Sequence, residues 1–484
     1  MATKRHKDSK APTQPCVALI SARKLSPAAF SPFRAMPSPP PNILLIVADD
    51  MGVDQLGSAL GGGGFFETPC LERFAAGGAC FHRAYATAPV CSPARASLYT
   101  GQHPARLHLT EFIPGSTVRN PRLLTPPWQR GGLPVSAVTL GDALKAGGYA
   151  TAHFGKWHLA ADYNHAPGRP MDPESQGFDE VVPTLKPTAG ADPEPDPHHI
   201  ERLTDLAIAY CRRPQARPFF CVLAHNALHR PELAPAALVA KYAAKAGADP
   251  AVHRPALGAM VEQLDRSIGR LLDGLAAAGR DRDTLVVFTA DHGAYGPRDR
   301  PTRHRGAKAD LYEGGLRVPL LFRWPGQIAA GTVCGQLVSG ADIFPTLLAA
   351  AGARADGPLD GVNLGPILWG TTETPPHAAL YWHYPHYHHL GVAPCAAVRV
   401  GDFKLIEWFE AGLGAAGAMG PACELFNLAN DPGETRDLAA AEPRRCEVLR
   451  RQLREWRQAV GAQEMSLNPN YDPNVPTELA PPPG

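Results

Sequence analysis

Short apolar runs that end in polar residues recur along the 484-residue chain. Four runs are rich in Val, Ile, Leu and Phe: 43–48, 149–154, 219–224 and 284–290. Nearly continuous runs of this length are typical of parallel strands that are covered on both faces. Between them, apolar positions in 257–275 recur at the spacing of one helical face. Strands that alternate with helices predict an α/β layer structure.

Each of the four predicted strands leads into residues that can bind anions, protons or metal ions. These residues are Asp49, Asp50, Lys156, His158, His229, Asp291 and His292. In open α/β sheets, ligands bind beyond the carboxyl ends of the strands. The pattern therefore predicts one site that is assembled from distant segments of the chain.

The aspartates of this set predict a cation site. Asp49, Asp50 and Asp291 would repel one another at close range, and a bound cation removes that cost. Oxygen-rich ligation favours Ca²⁺ or Mg²⁺. The alternative is that they cap helices or form turns, as Asp often does. Three of them at strand ends favour the metal site.

A further candidate is the sequence Cys-Ser-Pro-Ala-Arg at 91–95. Proline suits a first helical turn, which places residue 91 at a helix N-terminus, where free N–H groups favour a sulfate or phosphate ester. Arg95 adds a fixed positive charge, and Lys308 supplies a point charge for an oxyanion. The alternatives are that Cys91 is a small buried hydrophobe and that Arg95 is an ordinary surface arginine.

Together these segments resemble the type I, formylglycine-dependent sulfatases of the alkaline-phosphatase-like superfamily. The matching segments are 41–52, 91–101, 155–159, 177–179, 228–231, 289–293, 308–319, 342–348, 397–405 and 424–434. The resemblance implies an α/β fold in which a large mixed, mostly parallel sheet lies between helices. It also implies a smaller C-terminal α+β subdomain with a short antiparallel sheet.

The resemblance implies a nucleophile that is not one of the twenty coded residues. A formylglycine-generating enzyme reads Cys-x-Pro-x-Arg and converts the cysteine to formylglycine, and one hydroxyl of the aldehyde hydrate attacks sulfur. The implied ligands of Ca²⁺, with Mg²⁺ or another divalent metal as alternatives, are Asp49, Asp50, Cys91 as formylglycine, Asp291 and His292. The implied catalytic residues are Cys91, Arg95, Lys156, His158, His229 and Lys308.

The same resemblance implies a role for each catalytic side chain. His229 donates a proton to the leaving alcohol, and Lys308 contacts the sulfate and the leaving oxygen. Lys156 holds the sulfate. His158 bonds the second hydroxyl of the hydrate and helps to expel sulfate, and Arg95 positions the modified residue.

Two positions depart from the family pattern. Residue 94 is alanine where serine is common, and His292 stands where many members have asparagine. Histidine offers nitrogen rather than a hard oxygen. Some sulfatases carry histidine there, and so do relatives that cleave phosphodiesters and phosphonates. Three functions stay open: a sulfatase acting on O-sulfate groups of a sulfated carbohydrate, a formylglycine-dependent phosphodiesterase or phosphonate monoester hydrolase, and a non-catalytic glycan-binding protein. The sulfatase is the leading hypothesis, and the filled catalytic positions argue against the third.

Two segments suggest how a sulfated small molecule or glycan would be recognised. The run at 381–389 combines aromatic residues with histidines, which suit sugar stacking and hydroxyl bonding, and predicts substrate contacts for His383 and His386. Arginines at 298, 300, 303 and 305 crowd one loop, and Arg303 is predicted to contact an anionic substrate. The alternatives are a packed strand and a solvated basic loop.

Composition excludes several other classes. The net charge of +1 gives no general attraction to nucleic acid. No apolar run reaches the ~18 residues of a membrane span. The ten cysteines form no Cys-x-x-Cys pair, which predicts free thiols.

The organisation along the chain predicts three parts. Residues 1–40 are expected to be an extension, either disordered or upstream of the true start at Met36. Residues 41–374 form the predicted catalytic domain, and 375–484 a C-terminal subdomain that ends in an irregular Pro-rich tail. Neither start shows an export signal, so we expect a cytoplasmic protein, or a periplasmic or secreted one if the true N-terminus differs.

Overall fold

A large and a small β-sheet organise the protein, whose computed structural model describes residues 40–162, 165–298, 302–411 and 422–482. The strands are β1 Asn42–Ala48, β2 Ala79–Tyr85, β3 Thr117–Arg119, β4 Leu123–Leu124, β5 Ala150–Gly155, β6 Glu180–Pro183, β7 Phe219–Ala224, β8 Thr284–Ala290, β9 Leu320–Arg323, β10 Thr332–Ser339, β11 Ala379–Tyr384, β12 Cys395–Val400, β13 Phe403–Trp408, β14 Cys423–Asn427, β15 Ser466–Leu467 and β16 Glu478–Ala480. The helices are α1 Pro69–Ala76, α2 Cys91–Thr100, α3 Pro104–Leu107, α4 Leu140–Ala146, α5 Ile200–Arg212, α6 Ala236–Ala243, α7 Pro255–Ala277, α8 Glu313–Leu316, α9 Ile343–Ala351, α10 Gly365–Leu368 and α11 Pro443–Ala459.

Eight strands form the larger sheet, in the order β10-β2-β9-β8-β1-β7-β5-β6. Neighbouring strands are parallel except at β9, which pairs antiparallel with both β2 and β8. The four strands predicted from the apolar runs are neighbours in the order β8, β1, β7, β5, so their carboxyl ends meet at one edge. The predicted large, mixed and mostly parallel sheet is confirmed.

The elements that carry the site are buried along their whole length. All seven residues of β1 and all ten of α2 are buried. Helix α2 ends at Gly101, whose positive φ of 68° closes the helix and whose missing side chain leaves room for Phe344. Gly155 ends β5 at φ 109°, where a Cβ atom would lie 1.9 Å from the carbonyl oxygen of Ala224. This close approach fixes the position of the next residue, Lys156.

The smaller sheet is an antiparallel meander in the order β11-β12-β13-β14. On one face, Trp382 and Ile406 share an apolar core with Tyr85 and Leu316 from the larger part of the molecule. On the other face, Leu449 and its neighbours on α11 cover the sheet. The predicted short antiparallel sheet near the C-terminus is confirmed, whereas the domain boundary at residue 374 stays a prediction.

The C-terminal tail is less irregular than its composition suggests. Strand β15 pairs with β4 and strand β16 pairs with β3, both antiparallel, because backbone hydrogen bonds there depend little on side-chain type. The predicted N-terminal extension lies outside the described residues apart from Pro40. Among the described helices, none combines the length and the apolar character needed to cross a membrane.

Candidate active site

Four of the predicted metal ligands lie together at the carboxyl ends of the central strands. Ligand atoms of Asp49, Asp50, Cys91 and His292 all lie within 4.8 Å of one another, and all four residues are buried. Asp49 and Asp50 follow β1, and His292 comes two residues after the end of β8. Asp50 adopts a positive φ of 59°, a rare conformation outside glycine that turns the chain sharply at this point.

Cys91 is the first residue of α2, at the helix N-terminus that the motif predicts. Its sulfur lies 3.2 Å from Nε2 of His292 and 3.4 Å from Nζ of Lys308. Burial alone would raise the pKa of the thiol, but Lys156 and Lys308 lower it from 9.0 to about 5. Position 91 is thus strongly favourable for a negative charge.

Arg95 organises the carboxylates from inside the protein. Its Nε donates to Oδ2 of Asp291 at 2.9 Å, and its Nη1 donates to the carbonyl oxygen of Lys156 at 3.0 Å. The guanidinium is fully buried and lies 3.6 Å from Asp49. Arg95 therefore joins three of the strand ends rather than facing solvent.

Asp291 stands slightly apart from the other metal candidates. Besides Arg95, its carboxylate accepts backbone N–H bonds from Asp50 at 3.2 Å and His292 at 2.9 Å. Burial raises its pKa to about 6, with the nearby Asp49 and Cys91 adding to the shift. The structure brings Asp291 against the cluster, with its oxygens already engaged by donors.

Two lysines balance the two leading aspartates. Nζ of Lys156 lies 2.6 Å from Asp49, and Nζ of Lys308 lies 2.7 Å from Asp50. Although burial opposes it, Lys308 and His229 hold the pKa of Asp50 well below its ordinary range. The aspartates are therefore ionised and available as ligands.

Both ring nitrogens of His292 face acceptors. Nδ1 lies 2.9 Å from the carbonyl oxygen of Gly293, to which it donates, and Nε2 lies 3.1 Å from Oδ1 of Asp50. A metal bound at Nε2 would take the place of the proton there. Burial lowers the pKa of His292, but Asp291 and Cys91 outweigh it and raise the pKa well above 6.5. The surrounding anions thus favour a positive charge at this point, which a proton or a cation can supply.

The donor set fits a divalent cation. Oδ2 of Asp50 is fully buried and accepts no hydrogen bond from the described residues, so it has an unused lone pair inside the cluster. A buried anionic oxygen without a partner is costly unless a ligand satisfies it. Asp49, Asp50 and His292 would hold the ion, with residue 91 beside it.

Two histidines complete the predicted set from neighbouring strand ends. Nε2–H of His158 donates to the carbonyl oxygen of Ile113 at 2.8 Å, and Nδ1–H of His229 donates to the carbonyl oxygen of Arg230 at 2.8 Å. Burial, followed by the charge of Lys308, lowers the pKa of His229 to about 4. Both rings are thus oriented by the backbone and neutral before an anion binds.

A cavity of about 230 Å³ opens beside these residues. Asp49, Lys156, His158 and His229 form one wall. The other wall contains residues that the sequence analysis did not select, among them His165, Thr184 and Lys186. Thr184 and Lys186 follow β6, whose short apolar stretch of two valines gave no strand signal, so its end could not be located, and His165 lies in the segment between β5 and β6.

The three predicted substrate contacts do not border this cavity. His383 is buried with Nε2 2.8 Å from the carbonyl oxygen of Gln463, and His386 is buried with Nε2 2.7 Å from Oγ1 of Thr110. Their positions favour structural roles, and sugar binding by them stays a prediction. Arg303 is exposed and borders a different cavity of about 610 Å³. Arg300 of the same loop lies outside the described residues.

The fold and site are typical of a class of protein, the hydrolases of anionic esters: a buried cysteine at a helix N-terminus lies beside a group of residues that could hold a cation. The family model Sulfatase matches residues 41–353, and the model N-sulphoglucosamine sulphohydrolase, C-terminal, matches residues 307–459. Arylsulfatase A of Bos taurus is 33% identical over 453 residues, covering 82% of this chain and 83% of that protein. N-acetylgalactosamine-6-sulfatase of Canis lupus familiaris is 31% identical over 472 residues, covering 85% and 84%.

Solved structures show the same architecture. The crystal structure of Ps i-CgsB in complex with k-i-k-neocarrahexaose superimposes with a TM-score of 0.71 at 26% identity, covering 86% of this chain and 93% of that one. Phosphonate monoester hydrolase of Agrobacterium radiobacter shares the fold, with a TM-score of 0.67 at 23% identity over 87% and 96%. The chain belongs to the sulfatase family and is a sulfuric ester hydrolase.

Proposed function

We propose that the protein hydrolyses O-sulfate groups of a sulfated carbohydrate, using formylglycine at position 91 and a bound Ca²⁺. The observation that carries the proposal is the position of Cys91. It starts a buried helix, 3.2 Å from His292 and 3.4 Å from Lys308, beside an aspartate oxygen that has no hydrogen-bond partner among the described residues. A small anionic group at 91 is surrounded there by donors and by a cation site.

Two groups would complete the site. A calcium ion held by Asp49, Asp50 and His292 supplies positive charge that stabilises developing negative charge on the ester. The formylglycine hydrate, made by a formylglycine-generating enzyme, supplies the nucleophilic hydroxyl and a second hydroxyl whose deprotonation releases sulfate. Every other step depends on side chains of the chain itself.

The lysines and histidines then have separate tasks. Lys156 and Lys308 bind the sulfate oxygens from two sides. Nζ of Lys156 lies 2.6 Å from Asp49, and Nζ of Lys308 lies 3.4 Å from the sulfur of Cys91, so both ammonium groups are close to the reacting position. A bound sulfate ester adds negative charge beside His229, which raises the pKa of His229 and favours its role as proton donor to the leaving oxygen. His158 is oriented by Ile113 to take a proton from residue 91.

The carbohydrate substrate is supported by the relatives. N-acetylgalactosamine-6-sulfatase is a curated relative, and Ps i-CgsB was crystallised with a neocarrahexaose. The C-terminal part matches the N-sulphoglucosamine sulphohydrolase model. The 230 Å³ cavity has the size of roughly one sugar ring.

The mass of the tryptic peptide 84–95 tests the nucleophile. We would prepare the protein together with a formylglycine-generating enzyme and compare it with the Cys91→Ala variant. We expect the mass of formylglycine at position 91, together with hydrolysis of an aryl sulfate that depends on added Ca²⁺. An intact cysteine, when the modifying enzyme converts a control peptide, would contradict the proposal.

His292 favours one second candidate, a phosphodiesterase or phosphonate monoester hydrolase with the same nucleophile. Nitrogen ligation by His292 differs from the asparagine of many sulfatases, and the geometry around Asp50 accommodates it. Sulfate monoesters and phosphate diesters both carry one negative charge, so the site itself does not discriminate strongly. Parallel kcat/KM measurements on an aryl sulfate and a matched phosphodiester decide between them.

A further inference from the structure

The 230 Å³ cavity has two walls of different chemistry. Asp49, Lys156, His158 and His229 belong to the reacting centre. The lining also includes Thr184, Leu185 and Lys186, here called the rim, which follow the outermost strand β6. Leu185 is 56% exposed and Lys186 is exposed, so this rim faces any group that enters with the sulfate.

Lys186 differs from the other lysines that the structure describes. Seven lysines lie in the described residues, and six of them pair with a carboxylate at 3.1 Å or less: Lys145, Lys156, Lys241, Lys245, Lys308 and Lys404. Lys186 makes no hydrogen bond or ion pair with any described residue. It is therefore the one described lysine whose charge the protein leaves unbalanced.

The acidic residues near this cavity are already engaged. Asp172 binds Nε of Arg169 at 2.6 Å, and Asp162 binds Nη1 of the same arginine at 3.0 Å. Glu174 lies 2.8 Å from Nε2 of His165. Asp162 and Asp172 line the cavity and could neutralise Lys186, but both carboxylates pair with Arg169 instead.

The positive charges of the cavity add to one another. Partial burial lowers the pKa of Lys186, and the charges of Lys156 and Lys308 lower it further. Lys186 and Lys156 also line the same cavity. Like charges gathered around one cavity favour a ligand with more than one negative charge.

We propose that Lys186 binds a second anionic group of the substrate, a carboxylate or a further sulfate on the sugar whose ester is cleaved or on its neighbour. This inference rests on the proposed sulfatase function and specifies its substrate class as a polyanionic sugar. Lys186 would contribute to binding in the ground state and the transition state alike, because the second group takes no part in the reaction.

The test compares Lys186→Met with the wild type on four substrates. They are an aryl sulfate, a monosulfated neutral sugar, a disulfated sugar and a sulfated sugar with a uronate neighbour. Methionine keeps the apolar stem and removes the charge. We expect KM for the substrate that carries the recognised group to rise about tenfold, with kcat within about twofold. Lys186→Arg should restore most of the affinity, and added salt should weaken the wild type more than Lys186→Met.

Lys145→Met is the matched control, because Lys145 pairs with Asp179 on the surface and does not border the cavity. A rise in KM confined to the disulfated sugar identifies sulfate as the second group, and one confined to the uronate sugar identifies carboxylate. Equal changes on all four substrates, or none, would overturn the inference. Failure of the wild type on the aryl sulfate, with formylglycine present, would instead overturn the proposed function. In that case, calorimetric binding of the disulfated sugar to wild type and Lys186→Met still decides the role of Lys186.

Discussion

Two clusters of buried charged residues in the described part of the molecule differ in their position, and only one of them lies where a catalytic site is expected. The reacting centre gathers Asp49, Asp50 and Asp291 with their cations at the ends of parallel strands. The second, the inter-sheet cluster, consists of Glu313, Arg399, Lys404 and Glu434 and joins the larger sheet to the smaller one.

The inter-sheet cluster is internally balanced. Lys404 Nζ lies 3.1 Å from Glu313 and 3.0 Å from Glu434, and Arg399 lies 3.6 Å from Glu313. Tyr85 adds a hydrogen bond to Glu313 at 2.6 Å. None of these groups lines the 230 Å³ cavity, although Glu313 borders the cavity of about 610 Å³. Their charges pair with one another and stabilise the contact between the two sheets.

The reacting centre has the same kind of groups with a different balance. One buried oxygen of Asp50 has no donor in the part of the chain that the structure describes, and the cavity reaches Asp49 and Lys156. Buried charge is therefore a poor mark of function by itself. Glu434 of the inter-sheet cluster also has a buried oxygen without a hydrogen-bond donor among the described residues, so an unsatisfied atom does not separate the two cases either. Position does, because only the reacting centre lies at the carboxyl ends of the parallel strands, beside Cys91.

The largest effect should come from the nucleophile position. Cys91→Ala should lower kcat/KM on an aryl sulfate by about 10⁴-fold or more, because no nucleophile remains. Its melting temperature should change little, since one sulfur atom is lost. Cys395→Ala, a buried thiol in the smaller sheet, is the matched control and should retain activity per folded molecule. Comparable losses in both variants would mean that the thiol at 91 acts through folding.

A substitution in the inter-sheet cluster should lower stability and leave the activity of the folded protein nearly unchanged. Lys404→Met leaves Glu313 and Glu434 buried without their shared cation and should lower the free energy of unfolding by about 3–5 kcal/mol. The kcat of the folded fraction should stay within about twofold. Urea denaturation and titration of active sites measure the two quantities. Lys145→Met, which breaks an exposed pair, should cost less than about 1 kcal/mol.

Glu111 is a buried carboxyl group that contacts the smaller sheet, and its ionisation gives a test of how stability depends on pH. Its carboxyl accepts a hydrogen bond from Phe112 N at 2.8 Å and one from Tyr384 of the smaller sheet at 2.7 Å. Burial raises its pKa from 4.5 to about 8, more than those hydrogen bonds lower it. The folded protein therefore holds a proton that the unfolded chain releases above pH 4.5, and stability falls as pH rises from 4.5 to 8.

Glu111→Gln should remove this slope. Relative to the wild type, the variant should gain on the order of a few kcal/mol between pH 5 and pH 8.5, since the amide never ionises. Urea denaturation at several pH values measures the difference. Parallel curves for the two proteins would show that Glu111 ionises normally in the folded state.

Much of the reacting centre was predictable because its residues follow long apolar runs. Strands β1, β5, β7 and β8 are each six or seven residues long, and the polar residues after them meet at one edge. The antiparallel position of β9 between β2 and β8 was not predictable, because the direction in which a strand pairs depends on the path of the chain between strands. The short strand β6 and the rim residue Lys186 also escaped, because two valines carry no clear period.

The aromatic and histidine run at 381–389 has a composition that fits two interpretations. Its residues alternate along β11 and the following turn, and burial of both faces places His383 and His386 inside the protein. A sequence with rings and imidazoles suits a sugar site and a packed interface equally well. Only the pairing of β11 with β12 and the position of Gln463 decide between them for His383.

His386→Ala gives the smallest effect and tests this distinction directly. From the sequence alone, the variant should lose activity on a sulfated sugar far more than on an aryl sulfate. The buried contact of Nε2 with Thr110 predicts instead a loss of about 1–3 kcal/mol in stability and equal factors on both substrates. His389→Ala is the comparison variant, because His389 of the same run is only partly buried. Burial lowers the pKa of His389, and the charge of Lys308 lowers it further. If His386→Ala lost activity on the sulfated sugar alone, the run at 381–389 would contact the substrate. If only His389→Ala showed this selective loss of activity, His386 would be a packing residue and His389 a substrate contact.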